Sequence, residues 1–551
     1  MVCLLLYLVY TGSRKRIFVM LHHILTHPLL SSIFLATAFC FPQHAWLCLL
    51  VFLIPTLSYL EKNSFSIKSG LTTSFFIGCS FIPATAWFLE SYPLDWLHIT
   101  DPILSTIIIG LLWFGFVITL AIPLTLWVMV VCYFSKFPLY LKALIASVAW
   151  VSVEHLRSWI IAFFLASPET LIGPHHTYYS LAYPIAHTPL LKELLPIGGL
   201  PLGVIWIILC NFFLYSLLSS VTAPKRNTHI TITLIFILLP LGSATLMYAI
   251  RPSQEERSQV SHIPVTILQT NFPSSRTLQE QDRKSALVIE FLEKIGVKQS
   301  VIVMPENIDL TTRSFQQSLA SNSYIGSYTG KHGYQMYFLH PAINLIAFTQ
   351  KQLLMPLGEY SLPWLERLVR MTKNQQWITA LTTPHEYLPN KGQGTRLFYS
   401  PYNGGIVIGG TLCSENISPL ISRQQVFGGA SLLMHSASLG PFHGSTLLSR
   451  QMLAINTARA LENGRYYLSA ANRAQSSIIS DTGKFSLQEK YTTSKDITAI
   501  SARVPLLSYF TPFTLLGDIL SPFAIILTIL ALLWKNWLYR HIFTGEKSLT
   551  N

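Results

Sequence analysis

Residues 265–306 read VTILQTNFPSSRTLQEQDRKSALVIEFLEKIGVKQSVIVMPE and alternate between two kinds of pattern. The runs VTILQTNF and SVIVMPE are short and rich in β-branched residues, which predicts strands, whereas LQEQDRKSALVIEFLEKIG has the spacing of an amphipathic helix. Further strand patterns follow at INLIAFT, GIVIGGTL, SLLMHSA, YYLSAAN and SSIISD, and a second helical pattern at LLSRQMLAINTARALENGR. This alternation predicts an α/β layer fold in which helices cover a sheet.

The sequence on both sides of this region is strongly apolar. The 551 residues are 51% hydrophobic and only 11% charged, with a mean hydropathy of +0.44. This composition excludes a soluble globule and indicates an integral membrane protein. The formal net charge is +13, but Lys and Arg are scattered between apolar runs. Because they form no basic stripe with interleaved aromatic residues, we expect no nucleic-acid partner.

Eight apolar runs are candidate membrane-spanning helices, so we predict a polytopic α-helical domain of about eight spans. They lie near Leu29–Phe41, Ala45–Leu60, Leu71–Phe88, Ile107–Phe134, Ala143–Phe164, Leu200–Leu218, Ile232–Ile250 and Ile519–Trp534. The predicted division of the chain is therefore 1–250 for the N-terminal extension and seven spans, 251–510 for the α/β domain, and 511–551 for the last span and tail. Met1 and Met20 are both candidate translation starts.

The charges of the short loops predict the orientation. Positive residues collect on one side: Arg14, Lys15 and Arg16; Lys62 and Lys68; Lys136 and Lys142; Lys225 and Arg226; Lys535, Arg540 and Lys547. The alternate loops carry Glu90, Asp95 and Asp101, or Lys192 beside Glu193. By the positive-inside rule both termini are cytoplasmic, and seven crossings place the α/β domain outside.

Cys413, in the segment GTLCSENISP, is the only cysteine between Arg251 and Pro512. A lone thiol in an exported domain has no internal disulfide partner, which favours a chemical use for it. If the fold brings Glu306 and Lys351 to it, Glu306 can act as base and Lys351 can hold an oxyanion. Without that context, an isolated Glu or Lys is more often a solvated surface group. The other cysteines are expected to be packing residues of apolar segments: Cys3, Cys40, Cys48, Cys79, Cys132 and Cys210.

The motifs VTILQTN, MPEN, KQLLMPLGEY, TLCSE and RALENGR resemble the nitrilase superfamily. Together with the flanking apolar spans, the motif WVSVEHLRSW and the segment TPF before the last span, they resemble the apolipoprotein N-acyltransferase family. The resemblance implies an exported, nitrilase-like α-β-β-α sandwich. It also implies that Glu306 is the general base, Lys351 the oxyanion residue and Cys413 the nucleophile.

The resemblance further implies the reaction and its partners. The expected donor is a phospholipid, and the expected acceptor is the N-terminal diacylglyceryl-cysteine of an apolipoprotein, acylated through a thioester on Cys413. The enzyme would lie in the bacterial inner membrane as a monomer among membrane lipids, with its catalytic domain in the periplasm and with no cofactor.

Glu359 and Glu415 match acidic residues near the family's active site, where each can orient Lys351 or serve only as its buried partner. The sequence also departs from the family pattern. Ser414 replaces a common tyrosine, and MHSASLG replaces a pattern with Asn followed by an aromatic residue. These departures bear on acyl-chain choice, rate and lipoprotein preference.

Two further features concern access to the site and the membrane helices. The segment SLPWLERLVRM places Trp364, Leu365 and Leu368 on one helical face, which predicts either a membrane-dipping lid or a helix packed on its own domain. In the fifth span, Glu154 and Arg157 are three residues apart and can pair across one turn. That pair is either functional or a self-satisfied link between helices.

The histidines give no strong metal signal, because H-E-x-x-H and C-x-x-C motifs do not occur. We expect no metal site, and we expect His435 and His443 to line loops. The residues are compatible with three functions: the acyltransferase, a membrane-tethered amidohydrolase that uses the same triad with water as acceptor, and a non-catalytic transporter or scaffold.

Overall fold

The computed structural model describes residues 27–94, 99, 101–219, 226–274, 278–330, 333–356, 358–375, 377–378, 397–400, 405–485, 489–492 and 495–543. Helices up to residue 250 are followed by an α/β region and a last long helix. Several residues used in the topology prediction lie outside the described residues: Met1, Cys3, Arg14, Lys15, Arg16, Met20, Asp95, Lys225 and Lys547.

The α-helices are numbered in chain order. They are α1 Pro28–Cys40, α2 Cys48–Val51, α3 Leu53–Lys62, α4 Ile67–Gly78, α5 Phe81–Ala84, α6 Pro102–Tyr133, α7 Leu139–Phe164, α8 Leu195–Ser219, α9 Arg226–Ile250, α10 Gln254–Gln259, α11 Leu278–Ile295, α12 Gln317–Ala320, α13 Pro363–Met371, α14 Pro419–Phe427, α15 Thr446–Asn463, α16 Pro512–Leu516 and α17 Leu520–Phe543. Short 3-10 helices also occur, including the one at Cys413–Ile417.

Four helical stretches within the described residues are long and apolar enough to cross a membrane. They are Ile67–Ser91, Pro102–Tyr133, Leu139–Phe164 and Leu191–Leu218, and they coincide with four of the predicted spans. Shorter apolar helices at Pro28–Cys40, Leu238–Ile250 and Leu520–Lys535 coincide with three more. The remaining predicted span, near residues 45–60, is divided between α2 and α3.

Local sequence sets the limits of these helices. Helix α6 is 32 residues long and is capped by the preceding Asp101, whose Oδ1 accepts hydrogen bonds from the N–H groups of Ile103 and Leu104 at 2.8 and 3.1 Å. Helix α8 is interrupted at Gly199, where φ is +64°. A Cβ at Gly199 would lie 2.5 Å from the ring of Phe513, so only glycine fits this kink.

The α/β region contains one branched, mixed sheet. Its strands are β1 His262–Thr270, β2 Val301–Val303, β3 Ser323–Gly330, β4 Gly333–His340, β5 Leu345–Gln350, β6 Leu397–Ser400, β7 Ile406–Leu412, β8 Leu432–Ser438, β9 Tyr467–Asn472, β10 Ser477–Ile479, β11 Glu489–Thr492 and β12 Ile497–Pro505. The main path runs β5-β4-β3-β2-β1-β9-β8-β7-β6, and β12 pairs antiparallel with β1. The neighbours β7, β8 and β9 are parallel, as are β1, β2 and β3.

The sheet is folded so that its two ends face each other. Phe338 of β4 and Phe398 of β6 lie near opposite ends of the strand order, yet their rings stack with centroids 6.0 Å apart. Helix α11 covers one outer face through Phe291 and Leu292, and helices α14 and α15 cover the other. The result is the predicted α/β layer fold, with two sheet halves between two helical layers.

Candidate active site

Cys413 lies at the turn where β7 ends and the 3-10 helix Cys413–Ile417 begins. Its φ is +49°, in the left-handed region. Holding a non-glycine residue there costs about 1–3 kcal/mol, which the surrounding structure has to supply. Such a turn places Cys413 at the carboxyl end of its strand, where sites in α/β folds gather.

Glu306 and Lys351 approach Cys413 from the other half of the sheet. Glu306 follows β2 by three residues, and Lys351 comes directly after β5. The Ser436 hydroxyl of β8 donates to the carbonyl of Met304 at 2.7 Å, which fixes the segment before Glu306. The structure therefore brings the three predicted residues together, close enough for each to act electrostatically on the others.

The carboxyl group of Glu306 lies close enough to the thiol of Cys413 for each to shift the pKa of the other. Burial raises the pKa of Glu306 to about 7, since loss of water disfavours its charged form. The positive charge of Lys351 opposes this shift, and the negative charge of Glu359 adds to it. A carboxyl group with a pKa near neutrality beside a thiol has the properties of a general base.

Burial also raises the pKa of the Cys413 thiol above its ordinary value, and the negative charge of Glu306 adds to the effect. Lys351 opposes both, but the net direction is upward. The thiol therefore rests in its protonated form. A protonated thiol needs a base before it can act as a nucleophile, and Glu306 is the carboxyl group that acts most strongly on Cys413.

Lys351 is a buried cation held by carboxylates. Its Nζ lies 2.7 Å from Oε1 of Glu359, and the other oxygen of Glu359 accepts the N–H of Met355 at 2.8 Å. Burial disfavours the charged lysine, but the fields of Glu359, Cys413, Glu306 and Glu415 outweigh it, so the pKa of Lys351 is raised. Lys351 therefore stays positively charged beside the nucleophile.

Glu415 is fully buried and binds backbone groups on both sides of the site. Its Oε1 accepts the N–H groups of Gln352 and Leu353 at 2.6 and 3.2 Å, and its Oε2 accepts the N–H of Leu412 at 2.9 Å. The Ser414 hydroxyl donates to the Leu353 carbonyl at 2.8 Å. Glu359 thus contacts Lys351 directly, whereas Glu415 and Ser414 join the turn at Cys413 to the loop that follows Lys351.

The expectation that His435 lines a loop is wrong. His435 lies in β8, paired with Thr411 of β7, and its Nε2 is 2.9 Å from the carbonyl oxygen of Cys413. The signal was present in the sequence, because His435 interrupts a run that reads as a buried strand next to the nucleophile's strand. His443 does lie in a turn, directly after the 3-10 helix Gly440–Phe442.

The loop after Lys351 is fastened to the end of helix α7. The Leu171 N–H donates to the Gln352 carbonyl at 2.9 Å, and the Leu354 N–H donates to the Thr170 hydroxyl at 3.0 Å. The Tyr360 hydroxyl donates to the Leu165 carbonyl at 2.7 Å. The site is therefore built where the α/β region meets one of the apolar helices.

Glu154 and Arg157 lie in α7 and bind one chain segment. Oε1 of Glu154 accepts the N–H of Leu181 at 3.1 Å, and Arg157 donates to the carbonyls of Tyr178 and Tyr179 at 2.8 and 3.1 Å. Their hydrogen bonds thus differ from the expected pairing across one turn. They hold residues 178–181, and Tyr178 in turn interacts electrostatically with Cys413 and Lys351.

The apolar face predicted for helix α13 is partly buried and partly exposed. Leu365 and Val369 are buried against the α/β region, whereas Leu368 and Met371 are 49% and 76% exposed. Nε1 of the half-exposed Trp364 donates to the carbonyl of Phe164, the last residue of α7, at 3.0 Å. One side of α13 therefore packs on its own domain while the other faces outward at the end of α7.

Within the described ranges, no group of three or more His, Cys, Asp or Glu residues is arranged to hold a metal ion. The side chains gathered at Cys413 are a thiol, a carboxyl group with a raised pKa and a buried ammonium group.

Residues 31–213 match the family model described as the apolipoprotein N-acyltransferase N-terminal domain. An apolipoprotein N-acyltransferase of Synechocystis sp. is 24% identical over 469 residues, which cover 78% of this chain and 83% of the relative. One of Thermosynechococcus vestitus is 29% identical over 131 residues, 24% of this chain and 23% of the relative.

Solved structures of the nitrilase superfamily are similar to about half of this chain. An amidase from Nesterenkonia sp. AN1 is 14% identical with a TM-score of 0.29, covering 46% of this chain and 93% of its own. A Saccharomyces cerevisiae protein described as a member of branch 10 of the nitrilase superfamily is 13% identical with a TM-score of 0.28, covering 53% and 98%. The family model over residues 31–213 and the relative that spans most of both chains show that this chain is similar to apolipoprotein N-acyltransferases, which are acyltransferases.

Proposed function

We propose that this enzyme transfers an acyl chain from a membrane phospholipid to the α-amino group of the N-terminal diacylglyceryl-cysteine of apolipoproteins, the last step of bacterial lipoprotein maturation. The observation that carries the proposal is the grouping of Glu306 and Cys413 with the buried cation Lys351, which is held by Glu359. This set of groups lies at the end of α7, one of the helices apolar enough to cross a membrane. A lipid ester is the substrate that such a position favours.

In the first half-reaction, the sulfur of Cys413 attacks the ester carbonyl of the phospholipid while Glu306 takes the thiol proton. Lys351 stabilises the negative oxygen of the tetrahedral intermediate. The carbon–oxygen bond to the glycerol then breaks, and Glu306 returns the proton to the leaving lysophospholipid. Cys413 is left carrying the acyl chain as a thioester.

In the second half-reaction, the α-amino group of the lipoprotein attacks the thioester and Glu306 accepts its proton. The carbon–sulfur bond breaks, the amide forms, and the proton passes to the departing sulfur of Cys413. The scheme is ping-pong, since the lysophospholipid leaves before the amine reacts. No cofactor or ATP enters, because the donor ester already carries the required free energy.

The proposed setting is the bacterial inner membrane. Eight spans would leave both termini in the cytoplasm and the α/β domain in the periplasm, as the positive loop residues predict. Both substrates are anchored in lipid, so the enzyme has to meet them at the membrane surface. The attachment of the Lys351 loop to the end of α7 supports a site at that level.

We assign the outward side of α13 to lipid contact. Leu368 and Met371 are exposed next to the end of α7, where Phe163 and Phe164 are exposed as well. The Trp364 ring bridges the two elements through its hydrogen bond to Phe164. An amphipathic helix anchored in this way can dip into the headgroup region beside the acyl donor.

The proposal is tested by supplying purified enzyme, in phospholipid vesicles with a labelled acyl chain, with a synthetic diacylglyceryl-cysteine peptide. Label is expected on the peptide amine with the wild type and not with Cys413→Ala. A peptide with an acetylated amine is the matched control and should stay unlabelled. Release of ammonia from small amides without any labelled peptide would instead favour the amidohydrolase.

A further inference from the structure

A closed chain of hydrogen bonds supports the turn at Cys413 from behind. Nε2 of His435 lies 2.9 Å from the Cys413 carbonyl oxygen, and because that oxygen can only accept, Nε2 carries the hydrogen. Burial lowers the pKa of His435 to about 4, so the ring is neutral and its Nδ1 is an acceptor. The Ser469 hydroxyl, 3.2 Å from Nδ1, is therefore the donor to it.

The chain continues and returns to the same 3-10 helix. Nδ2 of Asn456 donates to the Ser469 hydroxyl oxygen at 3.0 Å, and Nδ2 of Asn416 donates to Oδ1 of Asn456 at 2.8 Å. His435, Ser469, Asn456 and Asn416 are all buried. Both ends of the network thus lie in Cys413–Ile417, one at the carbonyl of Cys413 and one at the side chain of Asn416.

This arrangement fixes the peptide unit between Cys413 and Ser414. Cis peptide bonds within the described residues occur only at Tyr92–Pro93, so this unit is trans and its N–H points away from its carbonyl. Holding the carbonyl on His435 therefore also holds the N–H of Ser414 on the opposite side. A preoriented N–H beside the nucleophile is a suitable donor for an oxyanion.

We infer that His435 is a positioning residue for acyl transfer: its Nε2–H holds the Cys413 carbonyl, and thereby the left-handed turn and the Ser414 N–H, in the reactive arrangement. The role rests on the proposed function. His435 does not act as a base here, because Nε2–H is committed to a carbonyl and Nδ1 to a hydroxyl. Its contribution is to keep the turn at Cys413 in place, so that the sulfur stays beside Glu306.

Two variants of equal length separate this role from simple packing. In His435→Gln, the amide nitrogen lies as many bonds from Cβ as Nε2 does and can donate to the same carbonyl. In His435→Met, the side chain is equally long but has no hydrogen-bond donor. We expect His435→Gln to form acyl-enzyme within about threefold of the wild-type rate, and His435→Met to be slower by about tenfold or more. The loss should fall on kcat, with KM for phospholipid nearly unchanged.

A second readout needs no lipid. Alkylation of Cys413 by iodoacetamide, followed by mass spectrometry of the peptide that contains it, should be similar in wild type and His435→Gln and slower in His435→Met. Ser469→Ala, which removes the donor to Nδ1, should slow it to a smaller degree and serves if His435→Met does not fold. Equal rates in His435→Gln and His435→Met, or an unchanged rate in Ser469→Ala, would overturn the assignment.

The two readouts separate the two proposals. If the wild type forms no acyl-enzyme, the proposed function fails. The relative alkylation rates of the variants then still show whether His435 positions Cys413. If the wild type forms acyl-enzyme but the alkylation rates of the variants do not differ as expected, only the role of His435 fails.

Discussion

Nζ of Lys351 lies 2.7 Å from Oε1 of Glu359, and the two residues are only 1% and 5% exposed to solvent. Burial by itself would favour a neutral lysine, so the carboxylates around it are what keep the cation charged. A buried ion pair of this kind is weak evidence for stability, since desolvation costs offset its attraction. Its value here is a fixed positive charge beside Cys413.

Replacing Glu359 by Gln should therefore make Lys351 easier to deprotonate. We expect the acylation rate to fall by about tenfold or more at neutral pH and to decline further on the alkaline side, because a neutral lysine no longer stabilises an oxyanion. The measurement is the rate of acyl-enzyme formation against pH. Glu290→Gln, which removes an exposed carboxylate from α11, is the control and should match the wild type. An alkaline limb identical in both variants would contradict this role of Glu359.

The pKa of Glu306, about 7, predicts how the rate depends on pH. Only the ionised carboxylate can take the thiol proton, so the acylation rate should rise with pH and reach half its maximum near pH 7. Because Glu306 and Cys413 interact, the observed midpoint belongs to the pair. In Glu306→Gln the rate should drop by about 100-fold or more and the rise should vanish. A wild-type rate that stays flat through neutrality would argue against Glu306 as the base.

Glu415 and Ser414 both bind the loop after Lys351, but with unequal expected effects. Glu415→Gln places an amide N–H against backbone N–H groups that need an acceptor, so we expect the free energy of unfolding to fall by about 1–3 kcal/mol and the acylation rate to fall by about tenfold or more. Ser414→Ala removes one hydroxyl-to-carbonyl bond at a half-buried position and should cost about 1 kcal/mol. Thermal unfolding in detergent and acylation rates measure both. Equal losses of stability and of acylation rate in Glu415→Gln and Ser414→Ala would contradict these unequal roles.

Helix α13 offers a matched pair of leucines for testing lipid contact. Leu368→Ser changes an exposed side chain and should raise KM for phospholipid without changing the unfolding temperature. Leu365→Ser changes a buried one and should destabilise the protein by about 2–5 kcal/mol. If Leu368→Ser leaves KM for vesicles unchanged, the outward side of α13 has no part in lipid binding.

Much of this arrangement could be predicted from residue patterns. The β-α-β opening, the strands that end near Glu306 and Cys413, and helix α15 all follow from local periodicity. Strands β3 and β4 were missed because Ser, Gly and Gln weaken the strand pattern in SYIGSYTG and GYQMYFLH. Their tyrosines, Tyr324 and Tyr337, are nevertheless fully buried in the sheet.

The contacts of charged groups were harder to predict than their presence. Spacing on a helix favours a Glu154–Arg157 pair, but both side chains instead bind the backbone of residues 178–181, far along the chain. Glu415 likewise binds backbone N–H groups of a distant loop. Such partners are set by how the helical and α/β parts meet, which no local pattern records.

The proposed mechanism requires that Cys413 carries the acyl chain as a thioester. We would test this by incubating the enzyme with a phospholipid of known acyl length and measuring the mass of the intact protein. The wild type is expected to gain the mass of that acyl group and to lose it when the amine acceptor or hydroxylamine is added. Cys413→Ala should gain nothing. An acyl mass that persists in Cys413→Ala, or a wild type that turns over phospholipid and peptide while never carrying the group, would contradict the account.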